Sequence, residues 1–238
     1  MIKPVIRRLV PSLVLKRFHR VRLLAVRRRF QALAREEAFS AIYQGRHWGR
    51  ENTAPFFSGE GSTAQFTHGY CEAVAHYVRT HGITSIVDLG CGDFQVGSTI
   101  SKLTPAYCGV DIVRSLIEYN QAHYGSQQVR FDCLDIVEEP LPAGQMCLIR
   151  QVFQHLSNTE IQAVLAKLKM YQHVIVTEHV PIGTVRVPNV DKPHGPDTRL
   201  SDGSGVLLAE PPFLCKVSQF WEFPYDQRSK FQVAVLAQ

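Results

Sequence analysis

The chain has 238 residues, 45% of them hydrophobic and 20% charged, with 16 glycines and 13 prolines; this suits one sizeable α/β domain with an appendage and leaves too little for two full domains. Its net charge of +5 is unevenly placed, because residues 1–35 hold eleven Lys or Arg and no acid while residues 36–238 hold 15 basic and 21 acidic side chains. The acidic body disfavours a nucleic-acid partner, and six scattered cysteines without a C-x-x-C pair disfavour a structural metal and fit a reducing compartment.

Residues 1–42 read as a basic helical arm. Its longest uncharged stretch, Leu9–Leu15, contains Pro11 and is too short to span a bilayer. After Pro11 the apolar residues Val14, Phe18, Val21 and Leu24 or Ala25 recur at helical spacing, with Lys16, Arg17, Arg20, Arg27 and Arg28 largely on other faces. Such a helix packs on its own domain or on a partner protein, or rests on an anionic membrane surface. A transit peptide or nucleic-acid contact is a weaker reading. The expected location is cytoplasmic, peripheral at the inner membrane surface if the lipid reading holds.

Residues 43–238 carry the pattern of a domain. The segment Tyr43–Ser62 is rich in aromatic residues, glycine and serine, and Ser62–Gln65 fits a capping box opening a helix over residues 63–81. Short apolar runs then alternate with helical patterns. Strands are predicted at Ser85–Leu89, Tyr107–Asp111, Val129–Leu134, Met146–Arg150 and His173–Thr177, and a second capping box, Ser157–Glu160, opens a helix over 158–169. Pro188–Gly205 reads as a mobile lid, and Val217–Phe223 with Lys230–Leu236 as an antiparallel hairpin at one sheet edge. Together these predict an α/β, Rossmann-like, doubly wound fold with a mostly parallel seven-stranded sheet.

The loop Val87–Asp93, VDLGCGD, lies between the first of these strands and a helix expected to begin near Gln95–Gly97. Gly90 and Gly92 let backbone approach a ligand. Asp88 precedes the turn, and Asp111 ends the next strand about 20 residues on, where a carboxylate accepts both hydroxyls of a ribose. A dinucleotide fingerprint requires G-x-G-x-x-G, whereas Gly90, Gly92 and Gly97 give a wider spacing and Asp93 stands where a phosphate would approach. The pattern favours a ligand bearing an ammonium and a sulfonium.

With its neighbours Cys91 and Ile112, this loop resembles motif I of the class I S-adenosylmethionine-dependent methyltransferases. That resemblance implies S-adenosylmethionine as cofactor, with Asp135 and Ile136 beside the adenine and Arg150 and Gln151 at the crevice. It also implies that the segment Tyr43–Ser62 folds over the cofactor, with Ser58–Ser62, including Gly61, close to the methionine end; the segment reads equally as a loop packing Trp48 and Phe56 onto the core. A narrower likeness is to uncharacterised bacterial members associated with glycans. It is carried by Trp48, Gly49, Ser58, Gly59, Gly61 and Ser62, the RQV.QHLS run, Val176–His179, and Asn189, Asp191, Gly195, Arg199 and Pro211–Phe213. It covers roughly residues 43–238 and implies a small-molecule or glycan acceptor.

For a hydroxyl acceptor the protein must align the reactants, exclude water and remove a proton. His155, just past the fourth strand, is the first candidate base, and His179 with Glu178 the second. Each also reads as an ordinary buried or capping residue. Arg199 and His194, in the expected lid, are candidate acceptor ligands or surface ion-pair members. Competing functions are a nucleotide-dependent oxidoreductase or epimerase, which lacks its phosphate loop here, and a non-catalytic cofactor-binding module.

Overall fold

The computed structural model describes residues 12–49 and 54–237. The run Leu9–Leu15 begins, and Pro11 lies, outside the described residues. Strands β1 (Ser85–Leu89), β2 (Ala106–Asp111), β4 (Met146–Arg150) and β5 (His173–Pro181) bury most of their side chains, as strands covered on both faces must. With β3 (Val129–Cys133), β6 (Val217–Pro224) and β7 (Ser229–Leu236) they form one seven-stranded sheet in the order β3-β2-β1-β4-β5-β7-β6. β1 to β5 run parallel, while β7 is antiparallel to both β5 and β6. The hairpin therefore sits at the sheet edge, as expected.

One face of the sheet packs Val87, Leu89 and Ile149 against Ile161 and Val164 of α6 (Asn158–Lys167). The other packs Ile86, Leu148 and Ile175 against Tyr70 and Val74 of α3 (Ala64–His81), with Ile100 of α4 (Gly97–Ile100) and Ile117 of α5 (Arg114–Tyr124) beside them. Chain reversal between β1 and β4 leaves a crevice at the carboxyl ends of the strands, the place where open α/β sheets bind ligands.

Local signals explain most element ends. Ser157 caps α6 as predicted: its hydroxyl accepts from Glu160 N and its own N–H donates to the Glu160 carboxylate at 2.7 Å. The box predicted at Ser62 does not form, because Glu60–Ser62 turn as a short 3-10 segment and Thr63 becomes the cap of α3 without a side-chain bond. β5 runs to Pro181 rather than Thr177, since β7 pairs with it from Val174 through Pro181.

The amino-terminal segment forms α1 (Ser12–Gln31) and α2 (Arg35–Gln44), so the boundary expected after residue 42 falls inside a helix. Phe30, Ala38 and Ile42 are fully buried in a small cluster with Leu33, Phe39 and Trp48, and Arg27 pairs with Asp197 at 2.9 Å and with Asp202. α2 is thus part of the domain. Farther along α1, Phe18, Val21 and Leu24 are 70%, 61% and 46% exposed. No helix among the described residues is long and apolar enough to cross a membrane.

Candidate active site

The crevice is a cavity of about 1070 Å³, counting its open mouth, lined from Asp135 and Ile136 at one end through the glycine loop to Asp88, Tyr70 and Arg150 at the other. The loop needs its glycines on geometric grounds. Gly90 and Gly92 have φ of +79° and +57°, and an added Cβ would lie 2.3 Å from a Val152 methyl or from Ser58 Oγ respectively. Asn120, wholly buried, donates to Gly92 O at 2.8 Å and holds the turn from beneath.

The acids divide into engaged and available groups. Asp93 accepts from Ser58 N at 2.8 Å and from Gln95 N at 3.3 Å, while its own N–H donates to Ser58 Oγ at 2.8 Å. Tyr43 OH joins Ser58 Oγ at 2.9 Å, so segment 54–62 and α2 are latched onto the loop. Asp111 accepts from Gly92 N at 3.2 Å and Val113 N at 3.1 Å; burial pushes its carboxyl up to about 6 against the pull of these N–H groups. Asp88 is 7% exposed, pushed up to about 6 by burial, and accepts from Tyr107 OH at 2.5 Å. Asp135 meets Arg35 Nε at 2.8 Å, and the same guanidinium reaches Glu138 at 2.7 Å and Glu160 at 3.1 Å. Arg35 clasps α2 across the Asp135 end of the crevice.

Cys91, Ile112, Arg150, Gln151 and Ser58 also line the cavity, as does His155. Gly61 does not line it; its carbonyl accepts from Arg150 Nη2 at 2.7 Å, and Ser62 takes the lining position. Gln151 has φ of +57°, a conformation few side chains adopt, held by its N–H to Thr177 O at 2.7 Å.

At the mouth, His155 lies with its ring centroid 4.8 Å from that of Trp48, and its Nδ1 is 3.2 Å from Gly195 O. Burial, with help from Lys192 and Arg199, pulls the imidazole down to about 3. Expected as a base near neutrality, it instead stays uncharged at pH 7, and once Nδ1 donates to Gly195 O its Nε2 accepts from the Gln154 amide N–H at 3.3 Å. Gln154, not singled out from the sequence, lines the cavity beside it and has a buried Oε1 with no partner.

Four other candidates lie away from the cavity lining. Glu178 is 2% exposed and accepts from Phe153 N at 2.9 Å and Gln154 N at 3.0 Å, fixing the turn that carries Gln154 and His155. His179 projects from the opposite face of β5 onto Tyr225 and Phe231. Arg199, 1% exposed, donates to the carbonyls of Val190 at 2.9 Å and Leu156 at 2.9 Å and to Asn158 Oδ1 at 2.8 Å. His194 pairs with Glu160 at 2.9 Å and Leu33 O at 3.2 Å. The segment expected as a mobile lid is a packed brace, with Asn189, Lys192, Arg199 and Ser204 all buried.

Tyr43 of α2 lines the cavity, within the segment expected to fold over the cofactor, while Arg35 and Phe39 of α2 and Tyr70 of α3 line it without being singled out by the sequence. Arg35 carried a faint signal, as the last base of a basic run followed at once by Glu36 and Glu37. Among the described residues no group of three or more His, Cys, Asp or Glu is placed to hold a metal ion, and no cysteine is disulfide-bonded.

No family model matches the chain, and no curated protein matches it in sequence. Solved structures match it in fold. The N-methyltransferase NodS from Bradyrhizobium japonicum WM9, in complex with S-adenosyl-l-homocysteine, superposes with a TM-score of 0.57 at 9% identity, over 83% of this chain and 99% of its own. Magnesium protoporphyrin IX methyltransferase from Synechocystis PCC 6803 with bound SAM gives 0.53 at 15% identity, over 87% and 99%. Human N-acetylserotonin methyltransferase in complex with SAM gives 0.50 at 16% identity, over 85% and 59%. The chain has the fold of the S-adenosylmethionine-dependent methyltransferases.

Proposed function

We propose that the chain is an S-adenosylmethionine-dependent methyltransferase acting on a hydroxyl of a sugar, glycan or similar neutral small molecule. The observation that carries the reading is the acid set Asp88, Asp111 and Asp135 around a glycine loop that a side chain would fill. Carboxylates suit the ribose hydroxyls, the adenine amino group and the ammonium of this cofactor, and repel pyrophosphate. Dinucleotide binding fits poorly for a second reason: α4 has four residues, and the Gln95 N–H ahead of it is taken by Asp93.

In this reading Asp111 holds the ribose and Asp135 with Ile112 and Ile136 the adenine. Ser58, Cys91 and Gln151 shape the wall toward the methionine end. Bound there, the cofactor would supply an electrophilic methyl group on a sulfonium for in-line transfer to the acceptor oxygen. Gln154 Oε1, held in place by its amide N–H on His155 Nε2, orients the acceptor hydroxyl by accepting its hydrogen bond. With its imidazole held at about 3, His155 stays neutral and positions Gln154, and the acceptor's hydroxyl proton is lost to solvent after the methyl group has arrived on its oxygen. Trp48 and Phe39 give an aromatic wall against which a sugar ring packs.

The test is release of S-adenosylhomocysteine when S-adenosylmethionine is supplied with a panel of neutral mono- and disaccharides and, separately, of amines and carboxylic acids. Turnover confined to the neutral hydroxyl compounds is expected. Turnover confined to amines or acids would overturn the acceptor assignment.

The exposed face of α1 supports a peripheral membrane location. Phe18, Val21 and Leu24 form an apolar stripe, and Arg20, Arg22, Arg28 and Arg29 are exposed around it, an arrangement that suits an anionic lipid surface. The full chain should sediment with phosphatidylglycerol vesicles at low salt. The triple variant F18S, V21S and L24S should not; equal sedimentation would reject lipid contact.

A further inference from the structure

Helix α1 touches the crevice indirectly, through three residues of the brace. The run Gly195–Asp197 lies in neither helix nor strand, and it is held between α1 on one side and two cavity-lining side chains, Trp48 and His155, on the other. On the α1 side, Arg27 Nε donates to Asp197 Oδ2 at 2.9 Å, and the wholly buried Phe30 packs against Gly195, where an added Cβ would stand 3.4 Å from Phe30 Cβ. On the cavity side, Trp48 Nε1 donates to Pro196 O at 3.1 Å, Gly195 N donates to His155 O at 3.0 Å, and Gly195 O lies 3.2 Å from His155 Nδ1.

A run without a ladder of its own keeps one conformation only while its contacts outweigh the backbone freedom it gives up. Gly195 has no side chain to anchor and Pro196 no N–H to donate, so the side chain of Asp197 carries that task. Arg27 and Asp197 are only 13% and 10% exposed, and the second cation in reach, Lys192, stands 3.8 Å from Asp197 Oδ1. That oxygen is buried without a hydrogen-bond partner, which leaves Arg27 as the side chain that bonds Asp197 among the described residues. The run then sets the wall. Trp48 and His155 rest on each other with ring centroids 4.8 Å apart, and His155 Nε2 accepts from the Gln154 amide at 3.3 Å. The cofactor end is off this path, because Asp111 takes its bonds from Gly92 N and Val113 N.

We propose that Arg27 is a positioning residue for methyl transfer: through Asp197 it fixes the run Gly195–Asp197, and the run fixes the Trp48–His155 wall that aligns the acceptor. This rests on the acceptor reading above and deepens it by assigning the alignment of that wall to α1.

The experiment uses the full chain in a Trp221→Phe background, which leaves Trp48 as the one tryptophan of the chain. Arg27→Gln should shift Trp48 emission to the red and raise its quenching by acrylamide, while S-adenosylhomocysteine still binds within about threefold of the background by calorimetry. The kcat/KM for the neutral saccharide that turns over fastest should fall about 10-fold, with KM for S-adenosylmethionine unchanged. Arg27→Lys, which keeps the charge and loses the fork, should show the same changes at smaller size, and it decides by the same readings should Arg27→Gln fail to fold. Asp197→Asn should reproduce the red shift, and adding Arg27→Gln to it should change little more, because both act through one link. Unchanged Trp48 emission, equal losses at the cofactor and the acceptor, or an additive double variant overturns the proposal. If no saccharide turns over, the acceptor reading fails, and emission and quenching still decide whether Arg27 holds the wall.

Discussion

The glycine loop and the brace at Pro188–Gly205 offer similar residues at the same end of the sheet and use them in opposite ways. At the loop, Asp88 and Asp111 line open space and their hydrogen-bonding capacity is partly unspent, while Asp135 beside them also lines the cavity but is met by Arg35 and Val137 N. In the brace, the guanidinium of Arg199 is consumed by backbone carbonyls and Asn158, and Asn189 donates to Leu207 O at 2.9 Å and Pro211 O at 2.8 Å. A charged residue at a strand end is a site candidate only when its donors and acceptors are left over after the fold has been held together.

Breaking the brace should give the largest effect. Arg199→Met strands several buried carbonyls, and urea unfolding should show a loss of roughly 3–5 kcal/mol. The folded fraction should still bind S-adenosylhomocysteine within about threefold of wild type. Unchanged stability with lost turnover would return Arg199 to the acceptor site. Gly92→Ala comes next: with φ of +57° and Ser58 Oγ 2.3 Å from the added Cβ, the loop must shift. A stability loss of about 1–3 kcal/mol is expected, with at least a tenfold weaker cofactor affinity by calorimetry. Full affinity would show that the loop is not where the ligand approaches.

Arg35→Gln sharpens the comparison, because Arg35 belongs to neither region and clasps α2 across the Asp135 end of the crevice. Removing a clasp of partly exposed pairs should cost only about 1 kcal/mol of stability, and it should speed dissociation of S-adenosylhomocysteine several-fold in stopped-flow displacement. An unchanged off-rate would make α2 a fixed wall. The smallest effect concerns pH. His155 takes a proton at its ordinary 6.5 when unfolded but only at about 3 when folded, so stability falls as pH drops from 6.5 toward 3. His155→Gln should flatten that acid limb in melting curves recorded between pH 7 and 4. His179, pulled down to about 4, keeps its own share of the slope. A limb as steep as wild type would show that His155 is protonated in the fold.

Much of this was legible in the sequence because its physics is local. Strands buried on both faces read as apolar runs, the Ser157 cap reads from its spacing to Glu160, and glycines before an acid mark a turn that approaches something. What escaped depends on partners far along the chain. Arg35 looked like the end of a basic arm, since Asp135 and Glu160 that bind it stand 100 and 125 residues away. Arg199 looked like a lid residue for the same reason: the carbonyls it holds near Leu156 are 43 residues back. β5 was read four residues short, since its last residues are held as strand by β7 rather than by their own pattern. His155 was chosen for a pKa near 7, a choice that burial and two nearby cations reverse.

The central claim is that the acids around the glycine loop bind S-adenosylmethionine through its ribose and adenine. The most direct measurement is a paired calorimetric titration of wild type and Asp111→Asn with S-adenosylhomocysteine, with NAD as the control. Saturable one-to-one binding by the wild type, weakened at least about 100-fold in Asp111→Asn and absent with NAD, is the predicted result. Binding of NAD in preference, or S-adenosylhomocysteine affinity indifferent to Asp111, would contradict it.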